Sequence, residues 1–198
     1  MALDTVLCDL GNVLAPFDFS RAGRRFAQLV ERPFEEVFPL LRGEPYRALE
    51  TGQLTPEAFF AQLTRTLGRP LPFEVCQEAW NDIFTIDQGM AALVAGLAER
   101  HPVYLWSNVS PLHLECLRPR LPVLERFAGL HVSFELGALK PDPAFYSAAI
   151  ARGGLSPERC VFIDDVEANL AGARAFGIQG VLHVSTEATR EALGALGL

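Results

Sequence analysis

The stretch Thr5-Val6-Leu7-Cys8-Asp9-Leu10-Gly11-Asn12-Val13-Leu14 decides the fold. A short apolar run meets an acid, and a Gly-Asn pair follows. The run reads as a buried strand and Gly-Asn as its exit. An acid at the carboxyl end of a buried parallel strand lies where open α/β sheets place their ligands. Taken alone, the stretch is equally well read as Asp9 capping a turn, because Asp and Asn are common turn residues.

Later stretches repeat the pattern. Residues 102–106 form a second apolar run, ending in Ser107-Asn108. Residues 130–134 are a weaker strand, followed by Lys140-Pro141-Asp142-Pro143. Residues 160–163 end in Asp164-Asp165, and 180–184 make a fifth strand. Helical stretches separate these strands, so the expectation is an α/β fold: a doubly wound parallel sheet with helices on both faces. Between the first and second strands lie about eighty residues without a strand, far more than an ordinary crossover. Helical patterns there cover 20–30, 34–41, 56–67, 73–84 and 90–100, with Thr55 as an N-cap and Pro56 at the first helical position. The expected division is a core of 1–15 and 89–198, with an all-helical module of 16–88 inserted after the first strand.

The bulk composition narrows the function. The chain has 198 residues, 49% apolar and 21% charged, with a formal net charge of −7. That is a globular composition, and the negative balance argues against a broad nucleic-acid or anionic-membrane surface. No stretch reads as a signal peptide or a bilayer span. Cys8, Cys76, Cys116 and Cys160 form no close pair, so free thiols in a reducing cytoplasm are favoured over disulfides or a zinc site. No GxGxxG or GxxxxGK[ST] supports a dinucleotide or P-loop reading.

In a parallel sheet all carboxyl ends share one edge. Asp9, Ser107, Asn108, Lys140, Asp164 and Asp165 therefore converge. Three carboxylates without a cation would repel, and Mg²⁺ would remove that cost. Lys140 and Ser107 suit phosphoryl oxygens, and Asp9 becomes a candidate nucleophile. Each piece also has an ordinary structural reading: turn and N-cap for Ser107-Asn108 and Asp164-Asp165, solvated loop for Lys140. The constellation carries more weight than its parts.

These four motifs, Cys8-Asp9-Leu10-Gly11-Asn12-Val13, Leu105-Trp106-Ser107-Asn108, Lys140-Pro141 and Phe162-Ile163-Asp164-Asp165 with Asn169 beyond, resemble those of the haloacid-dehalogenase (HAD) superfamily. The helical insertion resembles its small C1-type cap. Glu50-Thr51-Gly52-Gln53-Leu54-Thr55 and Asp-Leu-Gly-Asn-Val resemble the subgroup that includes bacterial α-D-glucose-1-phosphate phosphatase. The resemblance implies a Mg²⁺-dependent phosphatase in which Asp9 attacks phosphorus and forms an aspartyl phosphate. Asp9, the Gly11 carbonyl and Asp165 would hold Mg²⁺, with Asp164 holding its waters or binding it weakly. Ser107, Asn108 and Lys140 would bind the phosphoryl group, joined on the substrate side by Asn12 and by Tyr46, Arg47 and Glu50 of the insertion.

One departure stands out. Most family phosphatases carry a second aspartate two residues after the nucleophile, where this chain has Gly11. Without that proton carrier the site would favour sugar 1-phosphates, acyl phosphates or aryl phosphates. Asp18, Glu50 and His113 are candidate replacements, each with an ordinary surface reading, while His101, His131 and His183 read as structural. The expected substrate is a small phosphorylated metabolite, a sugar phosphate foremost, with no nucleic-acid or membrane partner and the oligomeric state open. Two alternatives remain: a metal-independent haloacid dehalogenase, which the acid pair argues against, and a non-catalytic binding protein, which Gly11 keeps open. A signalling receiver domain is disfavoured because its acid pair comes early in the chain, whereas here it comes late.

Overall fold

The computed structural model describes residues 2–198. Five parallel strands, β1 (Thr5–Cys8), β2 (Val103–Ser107), β3 (Gly129–Val132), β4 (Cys160–Asp164) and β5 (Gln179–Leu182), form one sheet in the order β3-β2-β1-β4-β5. Between β1 and β2 lie α1 (Phe19–Val30), α2 (Phe34–Val37), α3 (Glu44–Glu50), α4 (Pro56–Leu67), α5 (Phe73–Asn81) and α6 (Gln88–Ala98). α7 (Pro111–Leu117) follows β2, and α8 (Ser133–Leu136) and α9 (Pro143–Gly153) follow β3. α10 (Glu167–Arg174) follows β4 and α11 (Thr186–Ala195) follows β5.

β1 is central because Val6, Leu7 and Cys8 are all buried and apolar, the composition of a strand covered on both faces. Side-chain alternation splits it between two cores. Val6 and Cys8 join Leu105 and Ile163 in one, backed by Met90, Val94 and Leu97 of α6 and Leu193 of α11. Leu7 joins Trp106 and Phe162 in the other, backed by Phe145 and Tyr146 of α9 and Leu170 of α10. Helices therefore cover both faces, as the alternating pattern predicts.

The inserted helices gather around Trp80 at the end of α5. Its indole lies 4.8 Å from the Phe59 ring, 5.1 Å from Phe19 and 5.3 Å from Tyr46, centroid to centroid. It also stacks on His113 of α7 at 5.6 Å and 10°, which ties the insertion to the sheet. Burial of so large a ring contributes several kcal/mol, since aromatic-to-alanine changes in cores cost about 3–5 kcal/mol.

Some local boundaries differ from the sequence reading. The single helix expected over 34–41 breaks after Val37, and a 3₁₀ turn, Phe38–Arg42, takes over where Pro39 enters. α3 has no counterpart among the expected helices, because it is one short amphipathic segment with no side-chain N-cap. The third strand, expected to reach Phe134, stops at Val132. There the Ser133 hydroxyl accepts from the Val109 N–H (3.1 Å) and donates to the Val109 carbonyl (3.2 Å), and the chain turns into α8. The helix expected over 73–84 ends at Asn81, and Phe84 instead bridges to Phe17. All four cysteines are free thiols. Among the described residues no helix is long and apolar enough to cross a membrane.

Candidate active site

Strand register builds the site. Cys8 pairs with Leu105 on one side and Ile163 on the other. One residue further along come Asp9, Trp106 and Asp164, and the Asp9 N–H still donates to the Ile163 carbonyl at 2.9 Å. Asp9 and Asp164 thus emerge level on adjacent strands.

Lys140 enters between them from the loop before α9. Its ammonium lies 2.6 Å from Asp164 Oδ2 and 3.0 Å from Asp9 Oδ1, and it donates to the Trp106 carbonyl at 2.8 Å. Burial would push its pKa down, but the two carboxylates outweigh burial and hold it above its ordinary value. The cation is therefore fixed. Its backbone is fixed too. Asn108 Nδ2 donates to the Lys140 carbonyl (2.8 Å), and Asn108 Oδ1 accepts from the Lys140 N–H (2.7 Å). Asn108 lines the cavity while its side-chain amide makes this clamp with one Nδ2 hydrogen and Oδ1.

Asp9 Oδ1 accepts from the Leu10 N–H at 2.7 Å as well as from Lys140. Its Oδ2 has no hydrogen bond among the described residues. Burial raises the Asp9 carboxyl, with Lys140 opposing and Asp164 adding to the rise. Asp164 has no exposed surface. Besides Lys140 it accepts from Asn169 Nδ2 at 3.0 and 3.1 Å and from the Val166 N–H at 2.8 Å. Asp165 is more open, and Asn12 Nδ2 donates to its Oδ2 at 3.1 Å.

One oxygen from each of Asp9, Asp164 and Asp165 falls within 4.8 Å of the others. Hard carboxylate oxygens at this spacing suit a small divalent cation such as Mg²⁺. The Asp164 oxygens are already occupied by protein donors, so Asp9 and Asp165 are the better placed pair.

A cavity of about 250 Å³ opens over this edge. Of the residues singled out in the sequence, Asp9, Gly11, Asn12, Ser107, Asn108, Lys140 and Asp165 line it from the sheet side, and Tyr46 and Glu50 line it from the insertion. Asp164 lies beneath them. Arg47 is exposed and is not among the lining residues. Phe17, Phe19, Ile83 and Phe84 complete an apolar wall. Phe17 was not anticipated, and it matters at Gly11: a Cβ there would meet the Phe17 ring at 3.0 Å. The part played by Asn169 was likewise unassigned, although it stands five residues beyond Asp164 on the next helix.

The three candidate proton carriers separate clearly. Asp18 caps α1 by accepting from the Ser20 N–H (2.9 Å), pairs with Arg24 and does not line the cavity. His113 Nε2 faces the Trp80 carbonyl at 3.3 Å, and burial pushes its pKa down to about 4, so the ring is neutral. Glu50 is partly buried in the cavity wall, and burial pushes it up to about 7, the neighbouring Tyr46 phenol pulling the other way.

D-ribitol-5-phosphate phosphatase of Bacteroides thetaiotaomicron is 25% identical over 185 residues, spanning 89% of this chain and 90% of its own. A HAD family enzyme of the same bacterium, solved with magnesium and inorganic phosphate, superposes with a TM-score of 0.84 at 28% identity, over 91% of this chain and 94% of that one. An L-2-haloacid dehalogenase of Xanthobacter autotrophicus shares the fold, with a TM-score of 0.65 at 19% identity, over 98% of this chain and 83% of its own. The sequence profile of the haloacid dehalogenase-like hydrolases matches residues 3–177, from before Asp9 to beyond Asp165, and the chain belongs to that family.

Proposed function

We propose that this protein is a Mg²⁺-dependent phosphatase of small phosphorylated metabolites that works through an aspartyl phosphate on Asp9. The observation that carries the reading is the Asp9 carboxylate. One oxygen is pinned by Lys140 and the Leu10 N–H, and the other is left free at the floor of the cavity. A carboxylate held in one orientation, its charge balanced by a fixed ammonium, is a nucleophile with little reorganisation left to make.

Asp9, Asp165 and the Gly11 carbonyl would hold the metal. When bound, Mg²⁺ supplies positive charge to the phosphoryl oxygens and removes the repulsion among the acids. Ser107 lines the cavity beside Asp9 and would meet the same oxygens, while Lys140, its ammonium held by Asp9, Asp164 and the Trp106 carbonyl, would balance their charge from beneath. The insertion acts as a cap whose aromatic wall excludes water and selects the leaving group. The relative named for D-ribitol 5-phosphate and the small cavity favour a phosphorylated sugar or polyol. A preference for sugar 1-phosphates holds so far as no other residue protonates the leaving oxygen.

Phosphate release from a panel of sugar and polyol phosphates, with Mg²⁺ or with chelator, tests this. Release should require the metal and fall to background in Asp9→Asn. Release that persists in chelator or in Asp9→Asn would overturn the reading.

A further inference from the structure

Cleaving a phosphate ester requires two proton movements. As an Asp9 oxygen bonds to phosphorus, the ester oxygen leaves with the bonding electron pair, and an alkoxide leaving group needs a proton. In the second half, a water oxygen bonds to phosphorus, the Asp9–phosphorus bond breaks, and the water must give up a proton. One group that loses and then regains a proton can serve both halves.

Few lining residues can do so. Gly11 has no side chain, and the Phe17 ring lies over it. Lys140 is locked between two carboxylates and a carbonyl. His113 has its Nε2 committed to the Trp80 carbonyl and its ring stacked on the Trp80 indole. Burial pushes the Tyr46 phenol well above its ordinary value, so it holds its proton. Asp165 is taken as a metal ligand.

We propose that Glu50 is the proton carrier of this site, donating to the leaving oxygen while Asp9 attacks and then, as a carboxylate, accepting the proton of the water that releases phosphate. The proposal rests on Asp9 being the nucleophile. Glu50 is the last residue of α3 and lines the same cavity as Asp9. Tyr46 lies one turn before it on α3, and Arg42 acts on that phenol from the preceding turn. The charged groups facing the cavity from the sheet edge are Asp9, Asp165 and Lys140, and α7 contributes the neutral His113. Burial places Glu50 near 7, so both of its forms are populated at neutral pH. With this donor present, esters of ordinary alcohols are substrates as well as sugar 1-phosphates.

The test compares kcat/KM of the Mg²⁺-loaded protein and of Glu50→Gln on two esters: D-ribitol 5-phosphate, whose leaving alkoxide is strongly basic, and 4-nitrophenyl phosphate, whose phenolate needs no proton. Glu50→Gln should lose about 10²-fold on the first, the usual scale of general acid–base help, and only a few-fold on the second. With the alkyl ester, kcat/KM of the unsubstituted protein should fall on the alkaline side of pH 7, and in Glu50→Gln that fall should vanish. Tyr46→Phe gives an independent reading if Glu50→Gln fails to fold. Removing the phenol takes away a group that favours ionised Glu50, so the alkaline limb should move to higher pH. Equal losses on both esters, an undiminished rate on the alkyl ester, or an unmoved limb in Tyr46→Phe would overturn the proposal. No release from either ester by the unsubstituted protein would instead overturn the phosphatase reading, and the proposal with it.

Discussion

The Lys140 side chain is almost wholly enclosed, and its ammonium meets Asp9, Asp164 and the Trp106 carbonyl. Removing water from such a group is costly, so its surroundings must supply every partner and hold them still. Asn108 does this for the backbone with two hydrogen bonds. Asn108→Ala would orphan a buried N–H and a carbonyl, at about 1–3 kcal/mol each when no water replaces the amide. It should lower the unfolding midpoint and reduce kcat roughly tenfold or more while KM changes less, because a loosened Lys140 no longer fixes Asp9. Steady-state kinetics beside thermal unfolding check this, and a variant that loses stability alone would make the clamp purely structural. The sequence pointed to every acid at this edge and to Lys140. It could not show that Asp164 serves Lys140 while Asp165 stays open, because that depends on the pleat of β4 and on Asn169 one helix later.

Among the elements, α3 and α8 form a second junction between the insertion and the core, beside the one that Trp80 of α5 makes with His113 of α7. Gly52, just after α3, has φ +69°, and a Cβ there would run into the Phe134 carbonyl of α8. Gly52→Ala therefore combines a left-handed backbone with a backbone collision, worth about 1–3 kcal/mol of strain. It should lower the unfolding midpoint and raise KM, since Tyr46 and Glu50 ride on α3. Calorimetry and kinetics on one preparation measure both. Neither element was legible in advance. The sequence marks long, strongly patterned segments well: β1, β2 and β4 announce themselves as apolar runs ended by polar residues, and α4 by Thr55-Pro56. α3 and α8 are too short to show a period, and their docking is set by contacts remote in sequence.

Across the whole molecule, buried titratable groups set opposing pH responses. His113 is held near 4 by burial against an ordinary value of 6.5. As pH falls through 6.5 the unfolded chain takes up a proton that the folded chain refuses until about 4. Stability from this group is thus present at pH 7 and lost on acidification, by about 3 kcal/mol across that window. Asp9 and Glu50, raised by burial, act with the opposite sign: without metal they cost stability as pH rises toward neutrality. His113→Phe isolates the histidine. The unfolding free energy of the native chain minus that of the variant should fall by about 3 kcal/mol from pH 7 to pH 4, and a constant difference in denaturant titrations would refute it. The order β3-β2-β1-β4-β5 also belongs to this scale. Alternating strands and helices implied parallel pairing but not which strands become neighbours, since that is settled by the two cores together.

The aromatic wall and Glu50 belong to the segment between β1 and β2, whereas Asp9 and the acid doublet stand at the ends of β1 and β4 and Lys140 on the loop before α9. Heredity can therefore act on the two separately. Drift confined to that span, so long as it spares Glu50, would change which molecule is accepted and leave Asp9, Lys140 and the acid doublet untouched, so a lineage could shift its diet by exchanging one contiguous piece of gene.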